Sequence, residues 1–213
     1  MILAVDTSLG TAVALVDADG RRLADAASPD ALGHAEVIGT LLEQALADAG
    51  TDAITGVVAG MGPGPFTGLR IGIATARAFA LARGVSVLAV PSHFAAALSV
   101  IEGDSSTGSG VSSSPFAIVT DARRREVAIS MFDGLDADGI PHLIAETVLV
   151  PRADSDEKLR GVRAIEVQTL DGAALARVGL RATAARRELT SAEPLYLRQP
   201  DATMPGAPKR VGL

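Results

Sequence analysis

Two stretches of this chain follow one plan. ILAVDTSLGTAVALVD opens the sequence at Ile2, and FAIVTDARRREVAISMFD begins at Phe116. Each gives an apolar strand, an aspartate, a short turn and a second apolar strand, with Asp6 falling where Asp121 falls. The turn sequence DADG also occurs twice, at Asp17 and again at Asp136. A strand-turn-strand plan written twice predicts a duplicated unit. Between the copies lies GDSSTGSGVSSSP, Gly103 to Pro115, whose serine and glycine content cannot bury a core and reads as a loop or linker.

The rest of the first copy alternates strands with helices. Apolar runs at Ile2–Val5, Thr11–Val16, Ile54–Ala59 and Val85–Val90 read as strands, with Arg21–Ala26 as a returning one. Ile38, Leu41, Leu42, Ala45, Leu46 and Ala49 fall at helical spacing before Gly50. Thr67–Arg83 reads as a helix capped by Thr67 and closed by Gly84, and Pro91–Val100 as another. Near-continuous apolar strands alternating with helices predict an α/β sheet. The second copy is shorter: a small helix near Asp156, a strand Val162–Val167, a helix Asp171–Glu188, then a proline-bearing tail. The expected division is 1–102, an insert 103–115, a smaller unit 116–198 and a tail 199–213.

Composition removes several chemistries. The chain has no cysteine, so disulfides, thiolate zinc and cysteine nucleophiles are out. A formal charge of −6 argues against unaided binding of nucleic acid, which calls for a basic stripe. The start has no basic region followed by a long apolar core, and no apolar run reaches membrane length, so a cytoplasmic protein is expected.

The glycine turn MGPGPFTGLRIG, from Met61, has two readings. It lacks the lysine of a phosphate-binding G-x-x-x-x-G-K loop, and Pro63 and Pro65 remove two amide donors. A helix start still attracts an anion, so the corner is either structural or a remnant phosphate loop formed with Asp6, Thr7, Ser8, Gly62, Gly64 and Thr67. Asp6 beside two hydroxyls reads as a turn cap before it reads as a magnesium ligand. His34, His93 and His142 form no helical pair, and Ala97 stands one turn after His93, which reads as a capping or surface residue. Arg123, Arg124 and Arg125 read as a solvated turn or a phosphate grip. The helices Ala35–Ala49 and Gly68–Ala82 are apolar nearly all round, so they are either sealed within the chain or present a face to a partner.

ILAVDTS, GPGPFTGLRIGIATARAFA, DARRREV and AEPLYLR together resemble the TsaB (YeaZ) family, which supports bacterial synthesis of tRNA threonylcarbamoyladenosine. The resemblance runs from Met1 to about Arg198. It implies the actin-like ATPase (ribonuclease H-like) fold of two duplicated α/β subdomains, the second trimmed. It implies a non-catalytic paralogue of TsaD, because VPSHFAAAL keeps His93 but has Ala97 where TsaD proteins place the second metal-binding histidine. The implied partners are TsaD as a heterodimer, TsaE, and tRNA through the complex, with self-pairing when the chain is alone. The implied interface draws on Val37, Ile38, Leu41, Leu42 and Ala45 of the first helix and Leu69, Ile73, Arg77 and Ala80 of the second. No cofactor is expected in this chain, with ATP or ADP only at the complex interface. The alternatives are a phosphotransferase using Asp6 and Asp121 for magnesium with Thr67 at the phosphates, and a glycoprotease-like peptidase.

Overall fold

The computed structural model describes residues 1–30, 33–50, 54–106 and 114–197. The first sheet contains β1 (Ile2–Asp6), β2 (Thr11–Val16), β3 (Arg22–Ser28), β4 (Gly56–Gly60) and β5 (Ser86–Val90), in the order β3-β2-β1-β4-β5. Helices α1 (His34–Ala49), α2 (Phe66–Arg83) and α3 (Ser92–Ser106) follow β3, β4 and β5. The second sheet contains β6 (Phe116–Asp121), β7 (Glu126–Leu135), β8 (Pro141–Pro151) and β9 (Arg163–Glu166), in the order β8-β7-β6-β9. A 3-10 turn at Arg152–Asp154 leads into α4 (Ser155–Lys158), and α5 (Gly172–Ala184) follows β9.

The duplication is visible in the pairing. β1 is flanked by antiparallel β2 and parallel β4, and β6 by antiparallel β7 and parallel β9. The two DADG turns match as well. The Gly20 amide donates to the Asp17 carbonyl and the Gly139 amide to the Asp136 carbonyl, and each aspartate side chain accepts two further backbone amides. The second copy is trimmed mainly where the sixteen residues of α1 give way to the four of α4.

The continuous apolar runs of β1 and β2 are explained by cover on both faces. One face packs on α1 and α2 through Leu3, Val5, Val13, Leu15, Ile38, Leu69 and Ile73. The other face belongs to a core running from Ala4, Ala14 and Val58 through α3 and α5 to Ile118 and Phe132 of the second sheet. Helix α5 therefore crosses back onto the first sheet. Gly179 allows this approach, since a Cβ there would overlap the Val58 side chain. Glu102 on α3 ties α5 down through Arg177 at 2.8 Å and Arg181 at 3.2 Å.

Several sequence expectations change. Thr67 caps nothing: α2 begins at Phe66 after Pro65, whose extended backbone starts the helix without a side-chain cap. Helix α3 enters the serine-rich stretch as far as Ser106, because Ile101 is buried and Arg163 holds Asp104 at 2.5 and 3.2 Å. The insert from 107 to 113 lies outside the described residues, as do the tail beyond 197 and the proposed end at 198. The eleven-residue β8 is not anticipated by the sequence reading; as an edge strand it is mostly half-buried or exposed and carries His142 and Glu146 among its apolar residues. Among the described residues, no helix is long and apolar enough to cross a membrane.

Candidate functional site

The carboxyl ends of parallel β1, β4 and β5 meet at Asp6, Gly60 and Val90, the edge where α/β folds commonly place their sites. Asp6 is buried there. Its Oδ1 accepts the Ser8 amide at 2.7 Å and the Ser8 hydroxyl at 2.5 Å, and its Oδ2 accepts the Ser92 hydroxyl. Ser92 Oγ in turn accepts the Gly62 amide at 3.0 Å. Burial pushes the Asp6 carboxyl above its ordinary range, and the Ser8 and Ser92 hydrogen bonds offset part of that rise. Both oxygens are thus committed to the turns around them. Asp121, the counterpart in the second copy, stands half-exposed and faces Arg152 at 3.5 Å. The two aspartates of the phosphotransferase alternative are thus each engaged by other side chains, Asp6 by Ser8 and Ser92 and Asp121 by Arg152, and Thr67 is exposed on α2.

The glycine turn has a packing role that its sequence hides. Gly60 lies against Asp6, with Asp6 Cγ 2.6 Å from where a Cβ would stand. A Cβ on Gly64 would come 2.8 Å from Ser8 Cα, and one on Gly68 would come 2.8 Å from His34 Nε2 and 2.9 Å from the Thr7 carbonyl. One on Gly72 would overlap Thr7 Oγ1. Spaced four apart, Gly64, Gly68 and Gly72 form a smooth track along the start of α2, and the β1–β2 turn lies in it. Thr7 Oγ1 stitches the contact by donating to the Gly68 carbonyl at 2.7 Å and accepting the Gly72 amide at 3.1 Å. Buried His34 completes it, its Nδ1 2.9 Å from Thr11 Oγ1. Of the residues grouped as a remnant phosphate loop, the structure brings Asp6, Thr7, Ser8, Gly62 and Gly64 together and leaves Thr67 out.

His93 is neither a cap nor a surface residue. It is buried, with Nδ1 2.7 Å from Ser130 Oγ and Nε2 2.9 Å from Thr120 Oγ1, so it joins α3 to β7 and β6. Burial pushes its pKa down to about 3, which keeps the ring neutral. Ala97 is buried in the core one turn later. Among the described residues, no three His, Asp or Glu side chains gather as a metal site.

A cleft of about 250 Å³ opens between the sheets. Ser8, Leu9, Gly10, Pro29 and Pro65 line it from the first half, and Val119 to Asp121, Arg123, Arg152 and Glu166 to Gln168 from the second.

The outer surface of α1 and α2 divides the proposed interface residues. Ile38, Ala45, Leu69, Ile73 and Ala80 are buried in the chain's own core and cannot meet a partner. Periodicity could not separate them, because both helices are apolar on nearly every side. Val37, Leu41 and Leu42 are half-buried, and Arg77 is exposed. The face that α2 turns to water carries Ala74, Ala78, Ala82 and Leu81, which is 85% exposed. The tail clasps the other end of this helix. Leu195 donates its amide to the Met61 carbonyl at 2.8 Å, Tyr196 stacks on Phe66 at 4.6 Å, and Arg70 lies 3.7 Å over the Phe66 ring while donating to the Tyr196 hydroxyl at 3.0 Å. Arg77 reaches the Ala192 carbonyl. Two of the sequence blocks behind the family resemblance, the glycine turn with its helix and the AEPLYLR tail, are thus in contact.

The model of the family TsaD, tRNA N6-adenosine threonylcarbamoyltransferase, matches residues 30–139, just over half of the chain. The chain belongs to the TsaD family. YeaZ from Pseudomonas aeruginosa superposes with a TM-score of 0.72 at 25% identity, covering 92% of this chain and 99% of that one. An uncharacterized protein of Mycobacterium leprae is 40% identical over 133 residues, 60% of this chain and 34% of that protein. Another, from Mycobacterium tuberculosis, is 38% identical over 146 residues, 65% of this chain and 62% of that protein. The chain therefore spans about a third of one relative and under two thirds of the other. The repeated sheets are those of the actin-like, TsaD-type fold, and this family member is TsaB-like.

Proposed function

We propose that this chain is a non-catalytic partner subunit that binds and activates a TsaD protein in threonylcarbamoyl transfer to adenosine 37 of tRNA. The observation that carries this reading is the outward face of α2, where Leu81 stands 85% exposed among Ala74, Ala78 and Ala82. Small side chains let another helix approach closely, and covering one leucine contributes roughly 1.5–3 kcal/mol. Val37, Leu41 and Leu42 on α1 and Arg77 on α2 remain in the docking surface, and the buried five leave it. Activation requires that these contacts favour the competent conformation of TsaD over its idle one. TsaE and tRNA join through the complex, ATP or ADP belongs only to the complex interface, and the same face supports self-pairing in the absence of TsaD.

The test is coexpression with the cognate TsaD, followed by sizing and a transfer assay with and without this chain. Wild type is expected to copurify and to raise transfer. Leu81→Glu is expected to remain folded and to lose both. Copurification of Leu81→Glu at the wild-type level refutes the placement of the interface, and equal transfer without this chain refutes the activating role.

A further inference from the structure

The two outer helices of the first sheet carry opposite charges. Arg70, Arg77 and Arg83 are the charged residues of α2, and, apart from buried His34, α1 offers only Glu36, Glu43 and Asp48. Arg70 and Arg77 stand seven residues apart, as do Glu36 and Glu43, so each pair lies on one stripe of its helix, roughly 10 Å apart along the axis. All four are exposed. Ala74 and Leu81, also exposed, continue the stripe of Arg70 and Arg77. Arg22, Arg163, Arg177 and Arg187 each lie against a carboxylate, whereas neither Arg70 nor Arg77 has a carboxylate partner among the described residues.

The tail holds these two arginines in place. It is anchored where the Leu195 amide donates to the Met61 carbonyl at 2.8 Å and where Leu195 and Tyr196 pack against the core beneath α2. From there Arg70 Nε donates to the Tyr196 hydroxyl at 3.0 Å, with the guanidinium 3.7 Å over the Phe66 ring, and Arg77 Nη2 donates to the Ala192 carbonyl. Each contact takes one of the five donors of a guanidinium and leaves the others for a carboxylate. Arginines held this way have already lost part of the rotamer freedom that binding would otherwise remove.

We propose that the tail segment Ala192–Tyr196 is a positioning element of the docking face, holding Arg70 and Arg77 so that they pair with two carboxylates two turns apart on a single helix of the partner. This rests on the reading of α2 as the face that meets TsaD. The Nη1 and Nη2 edge of Arg70 and the Nε and Nη1 groups of Arg77 receive the carboxylates. Glu36 and Glu43, with the same spacing and the opposite sign, repel that acidic helix, so the pattern also fixes which partner helix lies over α2 and which over α1.

The test is the affinity of the full chain for the cognate TsaD, measured by interferometry at about 50 mM and about 500 mM sodium chloride, between which the screening length falls about threefold. Wild-type affinity is expected to fall about tenfold or more across this range. Arg70→Gln and Arg77→Gln are each expected to weaken binding about tenfold at low salt and to flatten the salt dependence. Tyr196→Phe keeps the ring on Phe66 and removes only the hydroxyl that holds Arg70. It is expected to weaken binding about threefold in the wild-type chain and to have no further effect on Arg70→Gln, a coupling that a merely structural role would not give. Arg160→Gln, an exposed arginine outside α1, α2 and the tail, is expected to bind as wild type does. If TsaD binds the wild-type chain at neither salt concentration, the partner reading falls and this proposal with it. If TsaD binds but its affinity ignores salt, if both arginine variants bind like wild type, or if Arg160→Gln weakens binding equally, the charge pairing is overturned while the partner reading stands. If Tyr196→Phe binds like wild type, or weakens Arg70→Gln as much as it weakens the wild-type chain, the positioning role of the tail is overturned.

Discussion

Gly72→Ala and Gly39→Ala are the same change in the interior of two helices, and the structure gives them opposite signs. Helix propensity alone favours alanine over glycine by about 1 kcal/mol. At Gly39 the added methyl meets nothing within 4 Å on the exposed side of α1, so that gain should appear in full. At Gly72 the methyl overlaps Thr7 Oγ1 and approaches Thr7 Cγ2 to 3.0 Å. Thr7 is 1% exposed and must move to make room. Its hydroxyl then loses the bonds to the Gly68 carbonyl and the Gly72 amide, about 1 kcal/mol each, and strands buried polar atoms at about 1–3 kcal/mol more. Subtracting the propensity gain leaves Gly72→Ala about 2–4 kcal/mol less stable than wild type. Urea unfolding should show its midpoint falling by about 1 M or more, while that of Gly39→Ala rises. Thr7→Ala, which itself removes the hydroxyl, should make the Gly72 change much less costly in the double variant. If Gly72→Ala is as stable as Gly39→Ala, the glycines are not a track for the β1–β2 turn.

Three further outcomes follow from burial. Ala80→Glu, at a position 2% exposed, should unfold the chain, whereas Leu81→Glu should leave the unfolding free energy within about 0.5 kcal/mol of wild type; a folded Ala80→Glu would contradict the core assignment. His93, with a folded pKa of about 3 against an ordinary 6.5, binds fewer protons when folded, so stability should fall as pH drops below 6.5 and continue to fall toward 3. Proton NMR of the ring settles this, and a titration near 6.5 would refute it. Asp6 has the opposite sign: its raised folded pKa means that the folded state holds the proton longer, so its contribution is present below 3.8 and is lost as pH rises through the folded value. Asp6→Asn should remove that slope from urea unfolding measured across the acid range, and an unchanged slope would mean that Asp6 does not titrate as placed.

Much of this fold is legible in one dimension. The repeated strand-aspartate-turn-strand plan and the two DADG turns announce the duplication, because strand runs and tight turns are specified by neighbours along the chain. Helix spans came within a few residues for α1, α2 and α5, where a glycine or an aspartate marks an end. What the sequence could not assign was depth. His93 looks like a surface or capping residue until β6 and β7 are laid against it; Asp6 does cap its turn through the Ser8 amide, but its burial beneath Ser92 shows only in the fold; and the glycine turn leaves a structural corner and a phosphate loop both open until Thr7 is seen resting on Gly68 and Gly72. The faces of α1 and α2 are the clearest case. Their apolar residues run nearly all round, so no period separates Ala80, sealed on the sheet, from Leu81, turned to water. Local interactions chose the strands, turns and helices; which sides stayed wet was decided by long-range packing, through which sheet face each helix covers and where the tail returns.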